Sequence, residues 1–470
     1  MTFDEEKFDF TLTSEQRQAV QSILEFIHND EKQVFILRGY AGTGKTSLLK
    51  GISKLLDDDV SMHFWATTGR AAKIISSKTN LQADTIHRSI YRLRLSEEDK
   101  KNRIIKLYYE LIKNNHSLNT FYAIDECSQL SDKKTLTLNL NFGTGRLLAD
   151  TLEYAGGRKI LFIGDNAQLP PVKYMYSPAL NPDYFQKHHQ LSAKHFDLTE
   201  IKRFDKTSGI YKNTRQLREH IADASYPKLS IRASGMNDIR VYHNESEMVK
   251  TFVKLARQSG IDNLKFITLS NKKANWLNLQ IRQQLYKGKK PQVIRENDVL
   301  MVTQNNYLYD LMNGDSAQVT WVNPKPIFKA GFKFREVQVK FYDPKAGAER
   351  TRKVILFEDL LQRDKNNLTD EEDYKIRHYL FAKANELGID KNTCEFNEFV
   401  RNEPYANALR VGYGYASTCH KAQGGEWDHV FIMLEFSMFY FPLENQYRWT
   451  YTALTRSRKQ IHILDNYYIR

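Results

Sequence analysis

The stretch "GYAGTGKT", residues 39–46, constrains this chain more than any other. It matches G-x-x-x-x-G-K-[ST], the pattern of a loop that wraps phosphate oxygens, and it has the neighbours that pattern requires. The apolar run "VFIL" (34–37) precedes it and the helical pattern "KTSLLKGISKLL" follows. Glycines in such a loop let successive backbone N–H groups converge on an anion at a helix start, where the helix dipole adds to the attraction. Gly39, Gly42, Thr43 and Gly44 form the loop, Lys45 is placed to reach the β- and γ-phosphates, and Thr46 to ligate Mg²⁺. Ser47 follows as a further nucleotide-site candidate. ATP with Mg²⁺ is the expected ligand.

The rest of the chain repeats the alternation of short apolar runs and helical patterns, which predicts parallel α/β architecture. Strands are expected at "HFWAT" (63–67), "TFYAI" (120–124), "KILFIG" (159–164), "LKFITLS" (264–270), "DHVFIML" (428–434) and "QIHILD" (460–465). In "TSEQRQAVQSILEFI", Ala19, Val20, Ile23, Leu24 and Ile27 fall at helical spacing, with Thr13 and Gln16 placed as a capping box. At 470 residues, the length fits about three domains of ~150 residues each.

Charge and cysteine usage narrow the function classes. Lys and Arg outnumber Asp and Glu by 69 to 56, a net charge of +13, which means either solubility or a polyanionic partner. Three widely spaced cysteines, Cys127, Cys394 and Cys419, argue against a disulfide framework or a cysteine zinc site. A reducing, cytoplasmic compartment is expected. The acidic start "MTFDEEKFDF" has no signal-peptide core, and no run of 18 apolar residues suggests a membrane span.

Two stretches break the rhythm. Residues 88–118 are basic, with an acidic tip "SEEDK" between apolar arms, and read as a hairpin or a pair of helices. Residues 291–410 read as an insertion, in which "DVLMVTQNN" and "NGDSAQVTWV" are strands joined through a glycine turn. The insertion also holds the capped helix "TDEEDYKIRHYLFAKANEL".

Hydrolysis of a bound triphosphate needs further groups, and the strand ends supply them. In "FYAIDECSQL" (121–130), Asp125 can hold Mg²⁺ and Glu126 can orient the attacking water and accept its proton. In "ILFIGDNAQLPPV" (160–172), Gln168 is placed to sense the γ-phosphate, with Pro170 and Pro171 stiffening the loop. Two arginines are candidates to stabilise the transition state, Arg203 in "LTEIKRF" and Arg456 in "YTALTRSRKQIHIL". An arginine finger is worth about 10³–10⁵ in rate.

The ordered set "GYAGTGKT", "ATTGRAAK" (66–73), "TIHRSI" (85–90), "IDECSQL", "GDNAQLPPV", "LTEIKRF", "STCHKAQGGEWD" and "YTALTRSR" resembles the motif series of superfamily 1 helicases. The subclass it resembles is subclass B: RecD, the phage Dda helicase and the petite-integration-frequency helicases. The resemblance runs from Gln16 to about Leu464 and is thin between 275 and 410. It implies two RecA-like domains, at 1–190 and at 191–290 plus 411–470, with ATP between them and single-stranded DNA across their top. It further implies a strand-separating pin within 88–118 and an SH3-like barrel with added helices at 291–410.

Carried over position by position, the resemblance gives Gln16 an adenine-reading role beside its capping role, and Glu426 a contact to ribose. Thr68, Gly69, Arg70, Thr85 and His87 would lie along the DNA backbone, as would Ser270 and Asn271 in the second domain. In the turn "TCHKAQGGEWDHV", Thr418 and His420 would face DNA, while Gln423, Gly424 and Glu426 face the nucleotide. The sequence departs from the family at Thr67, where Pro is common, and at the charged pin tip.

The expected function is an ATP-dependent DNA helicase or translocase, working as a monomer on single-stranded DNA and its junctions with duplex. By resemblance it moves 5′ to 3′ and serves DNA replication, repair or recombination alongside proteins of those processes. Two rival readings stay open at this point: an RNA-directed helicase of the same superfamily, and a nucleotide-gated binding protein with weak ATPase.

Overall fold

Alternate residues of the strand Val34–Gly39 enter two different cores. Phe35 and Leu37 meet Ala19, Val20 and Ile23 from helix Ser14–Asn29 and Leu48 and Leu49 from helix Lys45–Leu55. Val34 and Ile36 meet Ile86, Leu148 and Phe185 on the opposite side. Side chains alternate across a strand, so a run buried on both faces marks a parallel sheet covered by helices on each side. The computed structural model describes residues 3–29, 31–56, 60–99, 104–135, 140–202, 205–287, 293–306, 308–343, 346–363, 368–391 and 393–470.

The first sheet is parallel, in the order Ala83–Thr85, Ser61–Ala66, Thr120–Asp125, Lys159–Gly164, Val34–Gly39, Ala193–Leu198. Its last strand carries the first sheet past residue 190, where the sequence suggested the second domain begins. His195 and Asp197 give that edge strand an exposed polar face, and Lys194 interrupts the other, which hid it from a search for apolar runs. The second sheet is also parallel, in the order Ile239–Tyr242, Ser457–Leu464, Trp427–Ile432, Leu264–Thr268, Ala416–Thr418.

The 88–118 stretch forms a hairpin, Tyr91–Asp99 antiparallel to Ile104–Leu111. The end of its charged tip, residues 100–103, lies outside the described residues. Its base is tied down: the Tyr91 hydroxyl donates to Asp150 Oδ2 at 2.5 Å, and the Thr144 hydroxyl donates to Oδ1 at 2.5 Å. Asp150 is fully buried on helix Leu147–Ala155, so the hairpin is anchored to the first domain by a desolvated carboxylate.

The insertion folds as an antiparallel sheet of Val299–Val302, Ser316–Val322, Ile327–Lys329, Phe332–Asp343 and Ala348–Phe357, and it takes in Val411–Tyr413 beyond residue 410. The expected glycine turn is present, with Gly314 at φ 89°. Helix Asp370–Glu386 starts with the expected capping box on Thr369 and Glu372. This sheet shares one core with the second domain, in which Phe252, Phe266 and Leu277 run on into Val302, Val319 and Val337. Arg282 bolts the two together through Asp298 at 2.8 and 2.6 Å, both side chains fully buried. Among the described residues, no helix is long and apolar enough to cross a membrane.

Candidate nucleotide and nucleic-acid site

The phosphate loop leaves its strand at Gly39 and enters helix Lys45–Leu55. Gly42 and Gly44 hold φ of 89° and 86°, which side chains resist and which curl the backbone into a cradle. Inside it, Lys45 Nζ donates to the Gly39 and Tyr40 carbonyls at 2.6 and 3.0 Å. Gln16 does two jobs at once. Its Oε1 and backbone N–H complete the capping box with Thr13 at 2.9 and 3.2 Å, and its Nε2 donates to the Thr43 carbonyl at 2.9 Å. Ser47 is exposed at the helix surface.

Strand Thr120–Asp125 delivers the carboxylates to the same place. The Thr46 hydroxyl donates to Asp125 Oδ2 at 2.7 Å, and Asp125 Oδ1 accepts the Glu126 backbone N–H at 2.7 Å. Glu126 sits at φ 56°, a conformation few non-glycine residues adopt and one that marks functional turns. Burial, then the neighbouring Asp125 charge, push its carboxyl up to about 7, while Arg456 and Lys45 oppose the rise. Thr67 helps hold that turn: its hydroxyl donates to the Glu126 carbonyl at 3.3 Å, a bond the family's usual Pro has no group to make.

Gln168 is buried on the loop after Lys159–Gly164, and its Nε2 donates to Asp165 Oδ2 at 3.3 Å. Its Oε1 is buried without a hydrogen-bond partner among the described residues. An orphaned acceptor beside a phosphate loop fits a site that takes in a donor such as water. Thr46 and Asp125 supply the hard oxygen ligands that Mg²⁺ prefers, and the glycine cradle with Lys45 fits a triphosphate. The residues present therefore fit ATP and Mg²⁺.

The second domain closes on this site from the other side. Arg456 follows helix Leu443–Leu454 and is buried, its guanidinium bonded to the Thr452 carbonyl at 3.0 Å and the Thr455 hydroxyl at 3.0 Å. Tyr451 and Thr452 on that helix reach into the first domain, Thr452 accepting the Leu169 N–H at 3.0 Å. Gln423 donates to the Leu169 carbonyl at 3.0 Å and accepts from Gln129. A Cβ on Gly424 would lie 3.4 Å from Ala71 Cβ and 3.9 Å from Glu126 Cγ, so this backbone lies against both. Glu426 lies 3.9 Å from Lys78 Nζ. Arg203 lies outside the described residues, but its neighbour Lys202 donates its N–H to the Gly42 carbonyl at 2.9 Å, inside the phosphate loop.

The residues expected along DNA fall into two groups. Thr68, Thr85 and Ser270 each cap a helix start, with hydroxyls accepting from Ala71, Arg88 and Lys273 N–H groups. Ser270 is further held by Glu435, at 3.0 Å from its hydroxyl. Gly69 lies tight against the insertion, where a Cβ would meet Met312 at 2.2 Å. Arg70 stacks its guanidinium over the Trp427 ring at 4.2 Å, and burial lowers its pKa to about 10. His87 packs edge-on against Phe142 at 5.3 Å and its pKa is pushed down to about 4 by burial. Asn271 and His420 are exposed, and Thr418 is buried at the head of the turn.

Asp165, Tyr451, Thr452, Gln129 and Trp427 are site residues that sequence reasoning passed over. The one available signal was spacing: Thr452 precedes Arg456 by four residues, about one helical turn.

Comparison with known proteins agrees with this architecture. The AAA domain model matches residues 11–230, and the UvrD-like helicase C-terminal domain model matches 413–464. A solved structure of two coordinating Pif1 helicases, concerned with DNA unwinding at forked dsDNA, aligns with a TM-score of 0.50 at 16% identity. The alignment covers 97% of this chain and 92% of that one. An uncharacterized protein of Acanthamoeba polyphaga mimivirus is 23% identical over 478 residues, 89% of this chain and 92% of its own length. Another, from Methanocaldococcus jannaschii, is 22% identical over 521 residues, 98% of this chain but 38% of its own length.

Proposed function

We propose that the chain is a superfamily 1 helicase that hydrolyses ATP to move along single-stranded DNA, 5′ to 3′, and to separate the duplex ahead, a reading supported by the AAA-domain and UvrD-like helicase matches and the Pif1-like fold. One observation carries the reading. The segment 418–427 lays Gly424 against Ala71 and Glu126 of the first domain and, four residues earlier, leaves His420 exposed.

In this reading Lys45 neutralises the phosphates, and Thr46 and Asp125 hold Mg²⁺. The ion supplies charge neutralisation on the phosphate oxygens. Glu126, whose carboxyl burial and the Asp125 charge push upward, takes the proton of the water that attacks the γ-phosphorus, releasing ADP and phosphate. Gln168 positions that water through its free acceptor, while Arg456 and Arg203 offset charge on the phosphoryl group. Gln16, Gly39, Gly42, Thr43, Gly44, Ser47, Gly424 and Glu426 line the nucleotide.

DNA affinity comes mainly from phosphate contacts, consistent with the +13 charge, supplemented by base stacking on aromatic rings. Thr68, Gly69, Arg70, Thr85 and His87 supply the first domain's contacts, and Ser270, Asn271, Thr418 and His420 the second's. Alternating grip during the ATP cycle moves the protein, and the anchored hairpin divides the strands. Unwinding of partial duplexes with 5′ or 3′ single-stranded tails tests the reading. The 5′-tailed duplex is expected to open; opening of the 3′-tailed one alone would reverse the polarity. Opening with RNA tails but not DNA tails would move the protein to RNA.

A further inference from the structure

We propose that Tyr451 is a positioning residue that clamps the phosphate loop from the opposite domain. The inference rests on the ATP-hydrolysing function above and deepens it. The Tyr451 hydroxyl accepts the Ala41 N–H at 3.1 Å and donates its own proton to Asp165 Oδ2 at 2.8 Å. Asp165 Oδ2 in turn takes the Gln168 side-chain amide at 3.3 Å, and its Oδ1 takes the Ala167 N–H at 3.0 Å. A single hydroxyl thus links an amide in the middle of "GYAGTGKT" to the side chain that faces the attacking water. The tyrosine ring is 1% exposed, so neither partner can exchange this bond for water while the cleft is closed.

A second contact reinforces the first. Arg218, on helix Gly209–Ala222 beside the second domain, lies with its guanidinium 4.2 Å from the Tyr40 ring centroid. Two successive loop residues, Tyr40 through its ring and Ala41 through its N–H, are held from across the cleft. The loop's own glycines leave it deformable, so its shape at the phosphates is completed only when the two domains are together. Opening the cleft removes the Ala41 acceptor and the Asp165 donor in one movement. Closure therefore builds the nucleotide site, and nucleotide binding favours closure by the same amount, as linkage requires.

Tyr451→Phe keeps the packed ring and removes the hydroxyl. With saturating single-stranded DNA, kcat/KM for ATP should fall about tenfold, and affinity for a fluorescent ADP analogue should fall several-fold. The double variant Tyr451→Phe/Asp165→Asn should be no worse than Asp165→Asn alone, because both remove one relay. Unchanged kcat/KM and ADP affinity would overturn the clamp, as would losses that multiply in the double variant. A change in melting temperature with both nucleotide readouts unchanged would reduce Tyr451 to packing and overturn it as well. Should the wild-type chain bind the ADP analogue yet turn over no ATP, the proposed function fails. The ADP affinity ratio then decides the clamp alone.

Discussion

Gln423 of the second domain donates its side-chain amide to the Leu169 carbonyl of the first at 3.0 Å, across the cleft between the two parallel sheets. Three residues earlier in the same turn, His420 is exposed with its carbonyl accepting from Gln129 at 3.2 Å. The turn is therefore pinned to the first domain through both Gln423 and the His420 carbonyl, while His420 itself stays exposed. The glycines answer a packing need: Gly424, at φ 71°, and Gly425 carry the backbone tightly past Ala71 and Arg70.

Removing the His420 ring should affect the DNA response first. In His420→Ala, DNA-stimulated ATP turnover is expected to fall about five- to tenfold and basal turnover by less. Steady-state rates with and without oligonucleotide check this, and equal losses in both would make the turn scaffolding.

Gly425 leaves no room for a methyl group. A Cβ there would lie 2.5 Å from Trp427 Cη2 and 2.8 Å from Arg70 Nε. Gly425→Ala should displace Arg70 from the Trp427 face and cost about 1–3 kcal/mol, the usual range for overpacking. Urea unfolding measures it, and a change below about 0.5 kcal/mol would show that the site relaxes freely.

The hairpin anchor separates two activities. Tyr91→Phe removes one of the two 2.5 Å donors to the buried Asp150 carboxylate and loosens the hairpin base. Unwinding of a tailed duplex should drop at least threefold, with DNA-stimulated ATP turnover within about twofold of wild type. Parallel loss of both would refute an independent pin.

Acid should weaken the second domain through His462. Burial first, then His429 and Arg240, push its pKa down to about 3, against a usual 6.5. The unfolded chain binds a proton below about 6.5 that the folded chain refuses. The stability it contributes is thus present above that pH and lost as pH falls toward 3. Between pH 7 and pH 4.5 this is on the order of 2 kcal/mol for a group 1% exposed. His462→Phe should show a shallower loss over that window in urea unfolding, and an identical slope would contradict the assignment.

Much of the fold was legible because buried parallel strands are apolar on both faces. "KILFIG" marked its strand to the residue, Lys159–Gly164, and "VFIL" lacked only the last two residues of Val34–Gly39. Strands without that signature escaped: Ala193–Leu198 is a half-exposed edge, and Ala83–Thr85 and Ala416–Thr418 are too short to show a period. At the site, loop geometry was readable in Gly42, Gly44 and the Asp125–Glu126 pair because phosphate chemistry dictates those residue types. Tyr451 and Gln423 were harder. Their importance comes from what they touch across the cleft, and a contact between Gln423 and Leu169 leaves no trace in either local pattern. Thr67 shows the converse: an apparent departure from the family pattern supplies a hydroxyl that the Glu126 turn uses.

ATP turnover measured with and without a single-stranded DNA oligonucleotide tests the central claim most directly. The account predicts stimulation of at least tenfold by DNA, abolished in Glu126→Gln. Turnover that is indifferent to DNA, or that survives the loss of Glu126, would contradict it.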